Sequence, residues 1–95
     1  MSRKPVEILT REFPDLRRRF GVRHLGLFGS HAREGATRDS DFDVLVELDE
    51  VTFDRYMDLK FHLEALLDGP VDLVLHHTLK PMLRDRVLAE VRKIA

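Results

Sequence analysis

Strict alternation between residues 41 and 48 constrains the fold of this chain more than any other feature. The apolar side chains of the segment fall on one face of an extended chain: Phe42, Val44, Val46 and Leu48. The other face begins with two carboxylates, Asp41 and Asp43. This pattern predicts a β-strand with one buried face, and a layer of other elements must cover that face.

Further strands and helices follow from the remaining apolar patterns. Apolar runs predict strands at Val22–Phe28 and Val71–Leu75. Helical spacing predicts a helix over residues 52–67, which the Asp68-Gly69-Pro70 sequence ends. A short helical turn is expected after Ser30, which is a good N-cap. A last helix is expected from Pro81, with one apolar side that includes the following residues: Leu83, Val87, Val91 and Ile94.

The N-terminal segment has one apolar stripe at helical spacing, interrupted by a proline. The stripe consists of Val6, Leu9, Phe13, Leu16 and Phe20. Pro14 lacks a backbone N–H, so the segment is expected to form two short helices or one kinked helix, ended by Gly21. The order of elements predicts an α/β domain with a small sheet. It leaves open whether neighbouring strands run parallel or antiparallel.

Length and composition exclude several classes of protein. A chain of 95 residues is expected to form one domain, residues 1–95. It contains no cysteine, which excludes disulfides and thiolate metal sites. A formal net charge of −1 argues against direct binding along a nucleic-acid backbone. With no apolar run of membrane-spanning length and no signal peptide, we expect a cytoplasmic protein with no membrane association.

Three carboxylates predict a magnesium site. Asp41 and Asp43 are two residues apart on a strand, so their side chains leave the same face and repel each other when ionised. A divalent cation removes this conflict, and Mg²⁺ prefers a few carboxylate oxygens together with substrate phosphate oxygens. Asp72 is a charge inside an apolar run, which is costly unless it is paired or bound to metal. It faces the same site if its strand lies near the second strand.

The Gly29-Ser30 turn predicts an anion site. A glycine at the end of a strand lets a phosphate approach the backbone closely, and the turn offers backbone N–H groups and a hydroxyl. Each feature alone is more often structural: a turn, a solvated strand edge, or a salt-bridged strand residue. Their combination along one chain is more specific, because a phosphate cradle and a carboxylate pair together can hold a metal-bound nucleoside triphosphate.

The sequence from Gly29-Ser30 to Asp41-Phe42-Asp43 resembles the signature of the DNA polymerase β-like nucleotidyltransferase superfamily. More closely, it is similar to the minimal nucleotidyltransferase (MNT) domains, which are often antitoxins paired with a HEPN-domain toxin. The resemblance continues through the Pro70-Val71-Asp72-Leu73-Val74 segment. Members often have Gly-Glu where this chain has Glu34-Gly35, which is expected to alter only the path of the loop.

This resemblance implies the fold and the site residues. The expected fold is the polymerase β-like core: a small mixed sheet of three or four strands with helices packed on one face. Asp41, Asp43 and Asp72 would hold Mg²⁺, and Asp72 is also the candidate base. Gly29 and Ser30 would bind phosphates of ATP, and Arg33 would support the triphosphate.

The resemblance also implies the activity. The chain would transfer AMP from ATP to a hydroxyl, a tyrosine of the HEPN toxin, as the antitoxin of a type VII toxin–antitoxin pair, and would form a hetero-oligomer with that toxin. Two alternatives remain open. The chain could be a non-catalytic antitoxin that neutralises its toxin by binding, or a nucleotidyltransferase that acts on a small molecule or RNA.

Overall fold

The computed structural model of the chain describes residues 4–29 and 41–95. Within these residues, three helices and four strands follow one another in a fixed order. They are α1 (Pro5–Phe20), β1 (Val22–Phe28), β2 (Phe42–Leu48), α2 (Phe53–Leu67), β3 (Val71–Leu75), α3 (Pro81–Glu90) and β4 (Arg92–Lys93). The bounds of β1 and β3 are those predicted. The short helix expected after Ser30 lies outside the described residues.

The four strands form one mixed sheet with the order β3-β2-β1-β4. β1 is antiparallel to both of its neighbours, β2 and β4, whereas β2 and β3 are parallel. The predicted α/β fold with a small mixed sheet is therefore confirmed, in its four-stranded form. The parallel pair requires a crossover, which α2 provides.

α1 is a single helix, although Pro14 lies inside it. The proline gives up one backbone hydrogen bond, but fully buried side chains on both sides of it, Leu9 and Leu16, anchor the two halves to the same core. Gly21 ends the helix in the left-handed conformation, with φ of 67°. Its N–H donates to the carbonyl of Arg17, so the predicted end is confirmed.

α2 is fixed at both ends by local contacts. The hydroxyl of Thr52 caps the first turn by accepting from the N–H of Arg55 at 3.1 Å. Asp68 ends the helix in the left-handed region, with φ of 55°. The buried residues of α2 share one side and pack against the sheet: Leu59, Leu63 and Leu67.

The C-terminal helix is shorter than predicted. Val91 and Ile94 were expected on its apolar side, but α3 ends at Glu90 and the chain continues as β4. The N–H of Ile94 donates to the carbonyl of Leu25 at 2.8 Å. The outer edge of β1 offers unpaired backbone groups there, and pairing with them replaces the last helical turn.

The two faces of the sheet differ in composition. The helix face packs against α1 and α2 and consists of Val22, Leu25, Leu27, Val44, Val46, Leu48, Val71 and Leu73. The opposite face, here called the carboxylate face, consists of His24, Gly26, Phe28, Asp43, Leu45, Glu47, Asp72 and Val74. Because side chains alternate along a strand, each strand contributes to both faces.

Candidate active site

Asp43 and Asp72 are register partners on adjacent strands of the carboxylate face. In the parallel pair of β2 and β3, Asp43 lies opposite Asp72, and both side chains leave the same side of the sheet. Neighbouring strands are about 4.8 Å apart, so two carboxylates meet at one point of the sheet. The sequence could place Asp72 near the other carboxylates only on the assumption that the two strands are neighbours. The structure confirms that they are.

Gly29 brings the end of β1 against the same carboxylate. Its φ is +71°, a conformation that residues with a Cβ rarely adopt. A Cβ built on Gly29 would overlap Oδ2 of Asp43, so the Asp43 carboxylate occupies the space beside the glycine backbone. Glycine is therefore required at position 29 both by its left-handed backbone and by the lack of room for a Cβ beside Asp43. A phosphate bound at this bend would lie next to Asp43.

Asp41 stands just before β2 and is exposed. The following residue, Phe42, donates its N–H to the carbonyl of Pro70 at 2.9 Å, which ties the start of β2 to the start of β3. In residues 4–29 and 41–95, no three His, Cys, Asp or Glu side chains form a group that could hold a metal ion. The structure therefore brings together two of the predicted carboxylates and does not add Asp41 to them as a third ligand.

Two side chains of α2 hold the outer edge of β3, and the sequence patterns did not reveal this role. The hydroxyl of Tyr56 donates to the carbonyl of Leu73 at 2.5 Å. A carboxylate oxygen of Glu64 accepts from the N–H of Val71 at 3.1 Å. These two hydrogen bonds flank Asp72, one on each side in sequence. They satisfy backbone groups that β2 does not pair, so α2 substitutes for a further strand at this edge.

The phenol of Tyr56 is neutral at physiological pH. Burial raises the pKa of Tyr56 above its ordinary value, and the negative charge of Asp72 raises this pKa further. The hydroxyl thus keeps the proton that it donates to Leu73. Helical spacing places Tyr56 on the buried side of α2 but does not indicate this hydrogen bond. Glu64 gives no signal in the sequence, because its partner is a backbone group on another element.

A cavity of about 280 Å³ is lined by residues of the carboxylate face, although neither Asp43 nor Asp72 lies in its wall. Leu45, which follows Asp43 on this side of β2, lies in its wall with Gly26. The polar side chains of the wall are His24, Glu47, His76 and Lys93. Its other apolar residues are Leu25 and Ala95, together with Leu88 at the end of α3 and Val91 just after it. The cavity could hold a group of the size of one aromatic ring system beside the carboxylate pair.

Ser30 and Arg33, the other predicted phosphate ligands, lie outside the described residues. The described part of the site nevertheless fits a magnesium-bound triphosphate. Asp43 and Asp72 offer carboxylate oxygens from adjacent strands, and Mg²⁺ is commonly held by one or two carboxylates together with substrate phosphates rather than by a complete protein cage. The bend at Gly29 lies directly beside the Asp43 carboxylate, so a phosphate bound to the bend would be close to a metal ion on Asp43.

The fold and the paired carboxylates are those of a nucleotidyltransferase. Residues 10–94 match the family model of the nucleotidyltransferase domain, and the chain belongs to this family. Among its relatives, the protein adenylyltransferase MntA of Thermococcus cleftensis is 46% identical over 85 residues, which cover 88% of this chain and 86% of the relative. The predicted family is confirmed.

Solved structures support the same assignment. A protein provisionally named as a minimal nucleotidyltransferase has a TM-score of 0.77 and 38% identity, and the match covers 92% of this chain and 93% of that one. A complex of a tri-AMPylated Shewanella oneidensis HEPN toxin with an MNT antitoxin has a TM-score of 0.68 over 95% of this chain and 71% of the other. At 20% identity, this second match shows the fold alone.

None of the helices in the described residues combines the length and the apolar character that crossing a bilayer requires.

Proposed function

We propose that this chain, as one nucleotidyltransferase domain over residues 1–95, transfers AMP from ATP to a hydroxyl of a HEPN-domain partner protein. The observation that carries the proposal is the in-register pair of Asp43 and Asp72 beside the glycine bend. This arrangement suits a metal-bound triphosphate, and the 46% identity to a protein named as an adenylyltransferase supports AMP as the group transferred.

The proposed reaction is a displacement at the α-phosphorus of ATP. The acceptor oxygen forms a bond to this phosphorus, the bond to the β-phosphate oxygen breaks, and pyrophosphate leaves. The proton of the acceptor hydroxyl passes to the Asp72 carboxylate, which faces the site from β3. Most of the rate enhancement in such transfers comes from positioning and charge neutralisation rather than from covalent chemistry by the protein.

The residues of the site divide between holding the metal ion and binding the triphosphate, and Asp72 is in addition the base. Asp43 and Asp72 would hold Mg²⁺, and Asp41 would complete the metal-binding set when the triphosphate is bound. Mg²⁺ would neutralise the triphosphate and lower the pKa of the acceptor hydroxyl. Gly29 and Ser30 would bind the terminal phosphates through the bend, and Arg33 would support them.

The partner assignment rests on relatives and on the carboxylate face of the described fold. In one structural neighbour, the molecule that carries AMP groups is a HEPN toxin bound to an MNT antitoxin. The described fold has no second layer over the carboxylate face comparable to α1 and α2 on the helix face, so we propose that a partner protein presents the acceptor hydroxyl, a tyrosine. Modification of the partner would then neutralise it as a toxin.

The test is transfer measured by intact mass. The purified chain is incubated with ATP, Mg²⁺ and the HEPN-domain protein of the same genome. We expect the partner to gain the mass of one or more AMP groups. No adduct should form when EDTA is present from the start of the incubation. The Asp41→Ala, Asp43→Ala double variant should produce no adduct. Asp58→Asn, which changes an exposed carboxylate on α2, should be as active as the wild type.

The same experiment separates transfer from neutralisation by binding alone. If the double variant inhibits the partner as well as the wild type does, catalysis is not the mechanism of neutralisation. Partner inhibition without any nucleotide adduct would refute the proposal.

A further inference from the structure

α3 packs only weakly against the rest of the described chain. None of its ten residues is buried, within the part of the chain that the structure describes. Isolated helices shorter than about 12–15 residues are marginal in water, and helices in proteins gain most of their stability from packing an apolar side. At its C-terminal end, Leu88 lines the cavity. A contact with another molecule would add to the stability of such a helix.

The apolar side chains of α3 point in more than one direction. Met82 is 92% exposed, Leu83 50% and Leu88 42%. At about 100° per residue, Leu83 and Leu88 are on different sides of the helix, and Met82 is away from both. An amphipathic surface helix would have its apolar residues on one side. Apolar residues on several sides are typical of a helix that is covered on two sides, here by the cavity wall and by another molecule.

The charge around α3 indicates what kind of surface covers it. Between residues 80 and 93 there are five basic residues and two acidic ones, although the whole chain has a net charge of −1. The basic residues are Lys80, Arg84, Arg86, Arg92 and Lys93. None of them forms an ion pair with another described residue. An acidic surface is complementary to this segment, and a second copy of α3 would instead repel it.

The segment is also continuous with the site. Leu88 and Val91 share the cavity wall with Leu45, and Leu45 is next to Asp43 on the carboxylate face. A protein that covers α3 would therefore reach over this cavity to the carboxylate pair. That is where an acceptor hydroxyl must arrive.

We infer that α3 is the docking element for the protein that carries the acceptor hydroxyl, and that this protein offers an acidic surface with apolar side chains. The inference rests on the proposed function, because it identifies the acceptor as a protein. The partner's apolar residues cover Met82 and Leu83, its carboxylates pair with Arg84 and Arg86, and its acceptor residue enters over the cavity beside Asp43.

The test measures binding and transfer separately, with the full chain and the HEPN-domain protein of the same genome. Calorimetry without ATP gives the Kd of the complex for the wild type, for Met82→Glu, and for the Arg84→Glu, Arg86→Glu double variant. The matched control is Phe61→Glu, which changes an exposed apolar residue on α2. Circular dichroism and the Kd for ATP check that each variant is folded and binds nucleotide.

We expect both α3 variants to weaken the complex by more than about tenfold, and Phe61→Glu to leave the Kd within about twofold. The KM for the protein acceptor should rise in the α3 variants while their Kd for ATP is unchanged. The wild-type complex should also weaken as salt is added, because the proposed contact includes exposed ion pairs.

Several results would overturn the inference: no complex with the wild type, a wild-type Kd in both α3 variants, or an equal loss in Phe61→Glu. A wild-type homodimer that α3 variants dissociate would assign α3 to a second copy instead. Failure of the proposed function can be distinguished from failure of this inference. A complex that depends on α3 but yields no AMP adduct would support α3 as the docking surface and contradict the proposed transfer.

Discussion

The helix face and the carboxylate face of the same sheet show how one set of strands serves two purposes. On β2, Val44 is fully buried against α1 and α2, whereas the preceding residue, Asp43, points to the other side beside Gly29. The helix face contains only apolar residues. The carboxylate face contains charged residues, histidine, glycine and a cavity.

Along each strand, residues on the helix face contribute to stability and residues on the carboxylate face form the candidate active site. Burial on the helix face provides the free energy that holds the strands in register. The carboxylate face uses that register to place two like charges side by side, at a cost in stability. Substitutions on the two faces should therefore affect different measurements. The four predictions below run from the largest to the smallest expected change in the free energy of unfolding.

Leu27→Ala should have the largest effect on stability. Leu27 is fully buried on the helix face, and loss of its side chain leaves a cavity among residues of both helices. We expect a loss of about 2–5 kcal/mol in the free energy of unfolding, measured by urea denaturation. Phe61→Ala, at an exposed position on α2, should change it by less than about 0.5 kcal/mol. Equal effects at the two positions would contradict the assigned core.

Gly29→Ala should affect both stability and activity. The left-handed backbone at Gly29 costs a residue with a Cβ about 1–2 kcal/mol, and the added methyl group must also displace the Asp43 carboxylate. We expect a larger proportional loss in AMP transfer than in the free energy of unfolding. Gly35→Ala, at another glycine of the sequence, serves as the comparison. Full activity in Gly29→Ala would mean that Asp43 can move without consequence.

Tyr56→Phe should have a moderate effect through the edge of β3. It removes the hydroxyl that donates to the carbonyl of Leu73, which costs about 0.5–1.5 kcal/mol. Because the hydrogen bond adjoins Asp72, we expect kcat to fall while the KM for ATP changes little. Thr78→Ala also removes a hydroxyl that donates to a strand carbonyl, that of Leu75, and it should leave kcat unchanged.

Asp72→Asn should change stability least and nevertheless abolish transfer. The substitution removes one of two in-register like charges, so without Mg²⁺ the free energy of unfolding should be equal or slightly higher than in the wild type. Added Mg²⁺ and ATP should raise the Tm of the wild type more than that of the variant, because ligand binding stabilises only the folded state. A marked loss of stability in Asp72→Asn would show that this carboxylate has a structural partner.

Much of the local structure could be predicted from the sequence. The strands at Val22–Phe28 and Val71–Leu75, the end of α1 at Gly21 and the end of α2 at Asp68 follow from patterns within a few residues. The carboxylates and Gly29 were also found in this way, because Gly-Ser and Asp-X-Asp are local signatures. The predicted phosphate ligands Ser30 and Arg33 remain predictions.

Other features depend on contacts between distant residues and could not be predicted. β4 forms only because the outer edge of β1 offers pairing partners, so the pattern of Val91 and Ile94 was misread as helix. Pro14 left open two short helices or one kinked helix, and the core shared by Leu9 and Leu16 decides for one helix. Tyr56 and Glu64 act on backbone groups of β3, and no side-chain pattern records such a contact.

By itself, the sequence determined which residues alternate, which chemical groups the chain carries, and where most of its helices and strands lie. These are properties of neighbouring residues, since periodicity and capping act over one or two turns. Only the tertiary structure decided that β2 and β3 run parallel in a register that pairs Asp43 with Asp72, and that the Gly29 bend meets this pair. Register is set by burial of the whole helix face, and a shift of either strand by one residue would move its carboxylate into the core.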